Sequence, residues 1–318
     1  MLRPSCTVVV LLLLASSYTW ASNDDPLALL QRMEQARQTL DYEGTFTYEH
    51  RSEMESFRVQ HWVEGGKVHE RLEYLNGPEG AVRQLGDPLL CHTTGYRLLH
   101  PDTSADDVAR LDRFYQLTVR GEDRIAGRSV TIVEVRPRDQ LRYGYLLGLD
   151  QETGLLLKSL LFDEHQRLLE RFQFVELDLD PNVEQWTLQA QTSEPDIGNC
   201  AGGTREEPAR WALNWLPPGF VYSGERQLSD NISMLMYTDG LASFSVFLQP
   251  LGSRTLNLEG RAQRGAISAF MGQLEAGDAY YRVTVVGEIP GGVAEQLARG
   301  IQPIGHHGRS TSEAAETP

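Results

Sequence analysis

Polar and apolar side chains alternate through much of the first half of the chain. Tyr42, Phe46 and Tyr48 alternate with Glu43, Thr45, Thr47 and Glu49, and Phe57, Val59 and His61 alternate with Arg58, Gln60 and Trp62. Leu72 and Tyr74 alternate with Arg71 and Glu73, Val130, Ile132 and Val135 flank Thr131 and Glu134, and Leu168, Phe172 and Phe174 sit among Arg167, Arg171 and Gln173. A period of two gives each strand one buried and one wet face, the pattern of antiparallel sheet. Gly65-Gly66, Asn76-Gly77-Pro78, Gly121, Gly127 and the run from Asp150 to Gly154 supply the turns between strands. A meander of this length closes into a barrel or curls into a half-barrel. Residues 24–40 follow a different period. Asp24 or Asp25 can cap a helix, Pro26 suits its first turn, and Leu29, Met33, Ala36 and Leu40 fall on one face.

The patterning breaks near residue 178. Asp178, Asp180, Pro181 and Asn182 open a stretch to Pro208 with few large apolar residues, which reads as an interdomain linker permitting relative domain movement. A second patterned block begins at Trp211. Trp215-Leu216-Pro217-Pro218-Gly219-Phe220 forms a rigid turn with aromatic ends, and Tyr237-Thr238-Asp239-Gly240 leads into Phe244, Val246 and Leu248. Tyr281, Val283 and Val285 predict a further strand, and Pro290 starts a short helix with Val293, Leu297 and Ile301 on one face. The expected organisation is a large β-rich domain over 22–180, a linker over 181–208, a smaller α+β domain over 209–304 and a disordered tail over 305–318. The fold class is α+β, mostly β.

The N-terminus changes the picture of where such a protein works. Arg3, the uncharged run from Thr7 to Ala15 and the ending Thr19-Trp20-Ala21 have the layout of a secretory signal peptide over 1–21, cleaved after Ala21. The apolar run is roughly half of the ~20 residues that a membrane-spanning helix needs. Cys6 lies before the apolar core, where it cannot serve as a lipoprotein cysteine. The two remaining cysteines, Cys91 and Cys200, are expected to form a disulfide in an oxidising compartment. The formal net charge is -15, and loss of Arg3 makes the mature chain one unit more negative. Such a chain repels phosphate backbones, which excludes nucleic acid as a partner.

Catalytic spacing is lacking. There is no nucleophile elbow and no glycine-rich phosphate loop. His69-Glu70-Arg71-Leu72-Glu73 approaches the zinc-protease pattern, but position 73 is Glu and the alternation there is that of a strand. His306-His307 lies in the polar tail and Asp106-Asp107 reads as loop solvation. No enzyme, metal or cofactor is therefore predicted. What the first domain does carry is aromatic residues on successive strands: Phe46, Tyr48, Phe57, Trp62 and Tyr74, with Tyr42. A curved sheet lined by them can hold an acyl chain, since each buried methylene is worth about 0.8 kcal/mol. The alternative is that the helix over 24–40 fills that face as ordinary core.

Several long segments resemble the MucB/RseB family, the periplasmic negative regulators of the envelope-stress sigma factor. They are Pro137-Arg138-Asp139-Gln140 through Arg142-Tyr143-Gly144-Tyr145, Leu149-Asp150 to Gly154, Leu156-Leu157-Lys158-Ser159-Leu160-Leu161 and Leu169-Glu170-Arg171-Phe172-Gln173-Phe174. The second block adds Trp215 to Phe220, Tyr237 to Val246 and Val283 to Pro290. The likeness is greatest to the MucB branch. It implies an unclosed antiparallel β-barrel similar to the lipoprotein carriers LolA and LolB, with a helix, followed by a smaller sheet with helical cover. It implies binding to the periplasmic segment of a membrane-anchored MucA/RseA-type anti-sigma factor, shielding of that segment from site-one proteolysis, and release by lipopolysaccharide or acyl lipid. A homo-oligomer is left open. Trp215, Pro217, Pro218 and Phe220, with Tyr237, are the expected partner-binding positions, an exposed aromatic anchor, against the alternative of local packing. A periplasmic lipid or lipoprotein carrier built on the same half-barrel is the competing function.

Overall fold

The computed structural model of the chain describes residues 25–50, 53–76, 108–184, 186, 210–229, 232–252 and 259–304. The signal segment, Cys91, Cys200, the tail over 305–318 and most of the 181–208 stretch lie outside the described residues.

The first domain opens with α1 (Pro26–Thr39) and continues with eight strands: β1 (Tyr42–His50), β2 (Glu53–Glu64), β3 (Lys67–Tyr74), β4 (Tyr115–Ile125), β5 (Arg128–Pro137), β6 (Gly144–Asp150), β7 (Leu156–Phe162) and β8 (Leu168–Asp178). Asp25 caps α1 by accepting from the Leu27 amide at 3.1 Å, and Pro26 takes the first helical position. Leu29, Leu30, Met33 and Ala36 are buried on one side of the helix, as the sequence spacing predicts. The strands form a single antiparallel sheet in the order β3-β2-β1-β8-β7-β6-β5-β4. Its ends, β3 and β4, do not pair with each other, so the barrel is unclosed among the described residues. Helix α1 contacts both β2 and β4, and its apolar stripe joins the aromatic face of the sheet in one core. Arg32 ties the helix to the β6–β7 turn through the carbonyls of Gln151 and Glu152, each at 3.2 Å.

The second domain has β9 (Trp211–Leu213), β10 (Val221–Ser229), β11 (Ile232–Thr238), β12 (Ser243–Leu251), β13 (Gly260–Arg264), β14 (Ile267–Ala276), β15 (Ala279–Gly287), α2 (Gly291–Gly300) and β16 (Ile301–Pro303). Six of these strands form an antiparallel sheet ordered β10-β11-β12-β15-β14-β13, and β9 pairs with β16. Helix α2 covers β14 and β15, burying Val293, Ala294, Leu297 and Ala298 against a core of Leu235, Phe244, Val246, Phe270, Val283 and Val285. The second core is separate from the first.

The stretch read as linker does not leave the first domain at residue 180. Trp186 is buried, and its ring lies 5.9 Å from that of Trp62. The chain just after β8 therefore packs on the outer face of the sheet.

Candidate functional site

Strand parity decides which aromatic residues share the concave face. On β1 the buried positions are Tyr42, Gly44, Phe46, Tyr48 and His50. Phe46 pairs with Phe57 on β2 and Phe174 on β8, Tyr48 pairs with Phe172, and Phe57 pairs with Tyr74 on β3. The rings touch in a continuous row. Phe46 lies 5.3 Å from Phe57, 4.9 Å from Phe172 and 5.9 Å from Phe174, and Phe57 lies 5.3 Å from Tyr74. Phe57 and Tyr74 remain partly exposed, toward the β3 edge. The structure thus brings together Phe46, Tyr48, Phe57 and Tyr74.

Trp62 does not join them. It stands an odd number of residues from Phe57, so the period of two turns it to the opposite face. There it stacks on His69 with ring centroids 5.2 Å apart, and packs on Trp186. The concave face also carries polar groups at its α1 end. His61 is buried, stacks on Tyr42 at 4.6 Å and bonds the Leu40 carbonyl through Nδ1 at 2.9 Å. Burial, then the Glu70 carboxylate, pushes the Tyr42 hydroxyl well above its ordinary pKa.

The aromatic turn of the second domain is not the exposed anchor that the sequence suggests. Phe220 is 4% exposed and packs on Phe244 at 5.3 Å, while Tyr237 is also 4% exposed and stacks on the other side of the same cluster at 5.0 Å. Pro217 is buried. Only Pro218 is exposed, and Trp215 is half-buried. Trp215 lines a shallow cleft of about 460 Å³ with Asn214, Glu295, Arg299 and Gly300. Two physical causes draw the turn inward: its apolar rings complete a small core, and its backbone meets the first domain.

That meeting is a polar seam that no local sequence pattern announces. Arg142, just before β6, forms an ion pair with Asp239, from the β11–β12 turn, at 2.6 Å, and neither side chain has any exposure. The Tyr115 hydroxyl donates to the same Asp239 Oδ2 at 2.8 Å, and Asp239 Oδ1 accepts from the Leu241 and Ala242 amides at 3.0 and 2.8 Å. Arg142 also donates to Asp139 Oδ1 at 3.1 Å and to the Pro218 carbonyl. Its guanidinium lies 5.3 to 5.4 Å from the ring centres of Phe114, Tyr115 and Phe220. A buried charge is tolerable only when paired and hydrogen-bonded in this way. Burial first, then the Asp239 charge, holds the Tyr115 phenol well above its usual pKa and so keeps it a donor. Gly219 meets Phe114 so closely that a Cβ would stand 2.5 Å from the ring, at a φ of +92° that favours glycine.

Tyr143 extends the seam, donating to the Ile289 carbonyl at 3.1 Å and lying 3.5 Å from Ser268 Oγ. Burial pushes its pKa up to about 12. Farther along, Glu170 accepts from the Ala266 amide at 2.6 Å, and Arg264 donates to His50 Nε2 at 2.8 Å. Leu241 and Ala266, second-domain residues by sequence, belong to the first domain's core. Among the described residues no cluster of three or more His, Cys, Asp or Glu side chains could hold a metal ion.

The sequence of the MucB/RseB N-terminal domain, expressed as a family model, matches residues 25–192, and that of the MucB/RseB C-terminal domain matches residues 205–302. The chain belongs to the MucB/RseB family. It is 37% identical over 289 residues to the sigma factor AlgU regulatory protein MucB of Pseudomonas aeruginosa, covering 86% of this chain and 90% of that one. It is 29% identical over 293 residues to the sigma-E factor regulatory protein RseB of Escherichia coli K12, again covering 86% and 90%. Among solved structures, the Pseudomonas aeruginosa MucA/MucB complex aligns at a TM-score of 0.67 with 34% identity, over 88% of this chain and 99% of that one. MucB in complex with the periplasmic part of MucA aligns at 0.63, over 88% and 100%. The relatives are thus regulatory proteins, and the two halves of the MucB/RseB pattern meet in this chain at Arg142 and Asp239.

Proposed function

We propose that the chain is a periplasmic regulator that binds the periplasmic segment of a MucA-type anti-sigma factor, shields it from site-one proteolysis, and releases it when lipopolysaccharide or another acyl lipid occupies the first domain. The observation that carries this reading is the likeness, over 88% of this chain, to a MucB solved with MucA bound. The concave face supports the lipid half. Phe46, Tyr48, Phe57 and Tyr74 offer an aromatic row that is partly open at the β3 edge, and an acyl chain laid along it gains about 0.8 kcal/mol per methylene. Trp215 and Pro218, the surface positions of the aromatic turn, are the partner anchors. The protein acts without catalysis or cofactor, after removal of a signal peptide ending near Ala21, and an oxidising periplasm pairs Cys91 with Cys200.

A second reading, a lipid or lipoprotein carrier, draws on the same aromatic row. A protease-protection assay separates the two. The mature protein is mixed with the periplasmic segment of the organism's own anti-sigma factor and the cognate site-one protease, with and without lipopolysaccharide. Protection that lipopolysaccharide abolishes is the expected result. Acyl binding with no protection of the segment would overturn the regulator and leave the carrier.

A further inference from the structure

The turn joining β13 to β14 reaches out of the second domain and into the first. Gly265 and Ala266 at its tip are buried, and Ala266 packs in the first domain's apolar core. Three contacts seat the tip. The Arg264 Nε–H donates to His50 Nε2 at 2.8 Å, and the Ala266 amide donates to Glu170 Oε1 at 2.6 Å. Gly265, at a φ of +56°, lies so close that a Cβ there would stand 2.3 Å from Glu170 Oε1.

The place it occupies is the end of the concave face. His50 and Glu170 are register partners on β1 and β8, and the next pair on that face is Tyr48 with Phe172. The Tyr48 ring lies 5.3 Å from that of His50. The tip therefore closes the aromatic row at its Tyr48 end. Its seat includes one N–H···N bond from an exposed arginine, one buried amide–carboxylate bond and one buried methyl group. By contrast, the ion pair at Arg142 is fully enclosed.

We propose that the β13–β14 turn is a plug, and that an apolar ligand extending along the concave face displaces it. The proposal rests on the reading of that face as the lipid slot. Displacement has a direct consequence in the second domain, because the turn is continuous with β14. On β14, Ser268 faces Tyr143 across the seam, and α2 packs on the same strand. Helix α2 in turn lines the cleft that holds Trp215. Occupancy of the first domain is thereby read at the surface of the second through one strand and one helix, a coupling of the kind that must act equally in both directions.

The test uses the full mature chain and dansyl-labelled undecanoic acid as the probe, with binding read by fluorescence. Gly265→Ala drives a methyl into Glu170 and unseats the plug. Gly277→Ala is its control, since Gly277 has a similar φ of +62° at the β14–β15 turn with nothing within 4 Å of a Cβ. Arg264→Ala removes only the bond to His50 from an exposed side chain, so it stands even if Gly265→Ala fails to fold. If the closed plug keeps most molecules from accepting ligand, its removal raises apparent affinity by about tenfold. Gly265→Ala should show that rise, Arg264→Ala a smaller rise, and Gly277→Ala wild-type affinity. Wild-type affinity in both Gly265→Ala and Arg264→Ala would overturn the plug and leave the slot standing. Failure of the probe to bind any of the four proteins would instead overturn the slot reading, and the plug with it.

Discussion

Arg142 concentrates the energetics of the molecule in one side chain. It is enclosed by three aromatic rings, one carboxylate from each domain and a carbonyl. Removing one partner of such a pair leaves the other charged and buried, at a cost of about 3–5 kcal/mol. Asp239→Ala should therefore lower the urea midpoint by a corresponding amount, and a change within error would show the pair to be dispensable. Asp150 behaves differently because it is tied within one domain. Burial disfavours its charge, but the Arg128 guanidinium and the Thr153 amide and hydroxyl outweigh that and hold its pKa below the usual aspartate value. Asp163 is lowered in the same way, burial being outweighed by the Arg167 amide and guanidinium. A group with a depressed folded-state pKa contributes stability above its unfolded pKa, and that contribution is lost as pH falls through the folded-state value. Thermal stability should thus decline below about pH 5, and Asp150→Asn should flatten that decline. Neither Arg142 nor Asp239 announces itself in the sequence as a buried charge. Each sits in a segment resembling the MucB/RseB family, but nothing local says that two segments 97 residues apart will meet.

At the scale of elements, alternation is legible wherever one face of a strand is wet. Period two, period 3.6 and capping place α1 and strands at the alternating segments of β1, β2 and β3, although β2 begins at Glu53 and β3 at Lys67, four residues before each patterned run. Trp62 shows the limit of counting aromatic residues rather than tracking parity. Its own strand already separates it from Phe57. The two residues therefore predict different phenotypes. Phe57→Ala should weaken binding of a dansyl-labelled acyl probe by about tenfold, the loss expected when a partly buried aromatic ring is removed. Trp62→Ala should leave that affinity unchanged and instead release Trp186, seen as faster proteolysis just after β8. Equal loss of probe binding in both would contradict the assignment of faces. β6 and β7 were less legible, because Leu146 and Leu160 pair on the face opposite Leu147 and Leu161, and leucine on both faces hides the period.

The whole molecule is two separate cores joined by a seam. The composition of the 181–208 stretch suggests freely moving domains, whereas the described residues meet through Arg142, Tyr115, Tyr143, Glu170 and His50. The discrepancy arises because linker composition reports on the connecting segment, while the fit between domains is set by side chains distant in sequence. The aromatic turn follows the same logic: a sequence rich in Trp, Pro and Phe reads alike as an exposed anchor or as a seam. The proposed Cys91–Cys200 bridge would link distant parts of the chain. Alkylation of the denatured, unreduced mature protein should add no label, and two labels would show both thiols unpaired.

In the proposed function one chain binds a peptide and a lipid in opposition. Titrating the periplasmic anti-sigma segment into the full mature protein at increasing lipopolysaccharide measures that opposition. The apparent Kd for the segment should rise with lipopolysaccharide, and the segment should weaken lipopolysaccharide binding by the same factor. A segment Kd that stays constant while lipopolysaccharide binds would contradict it.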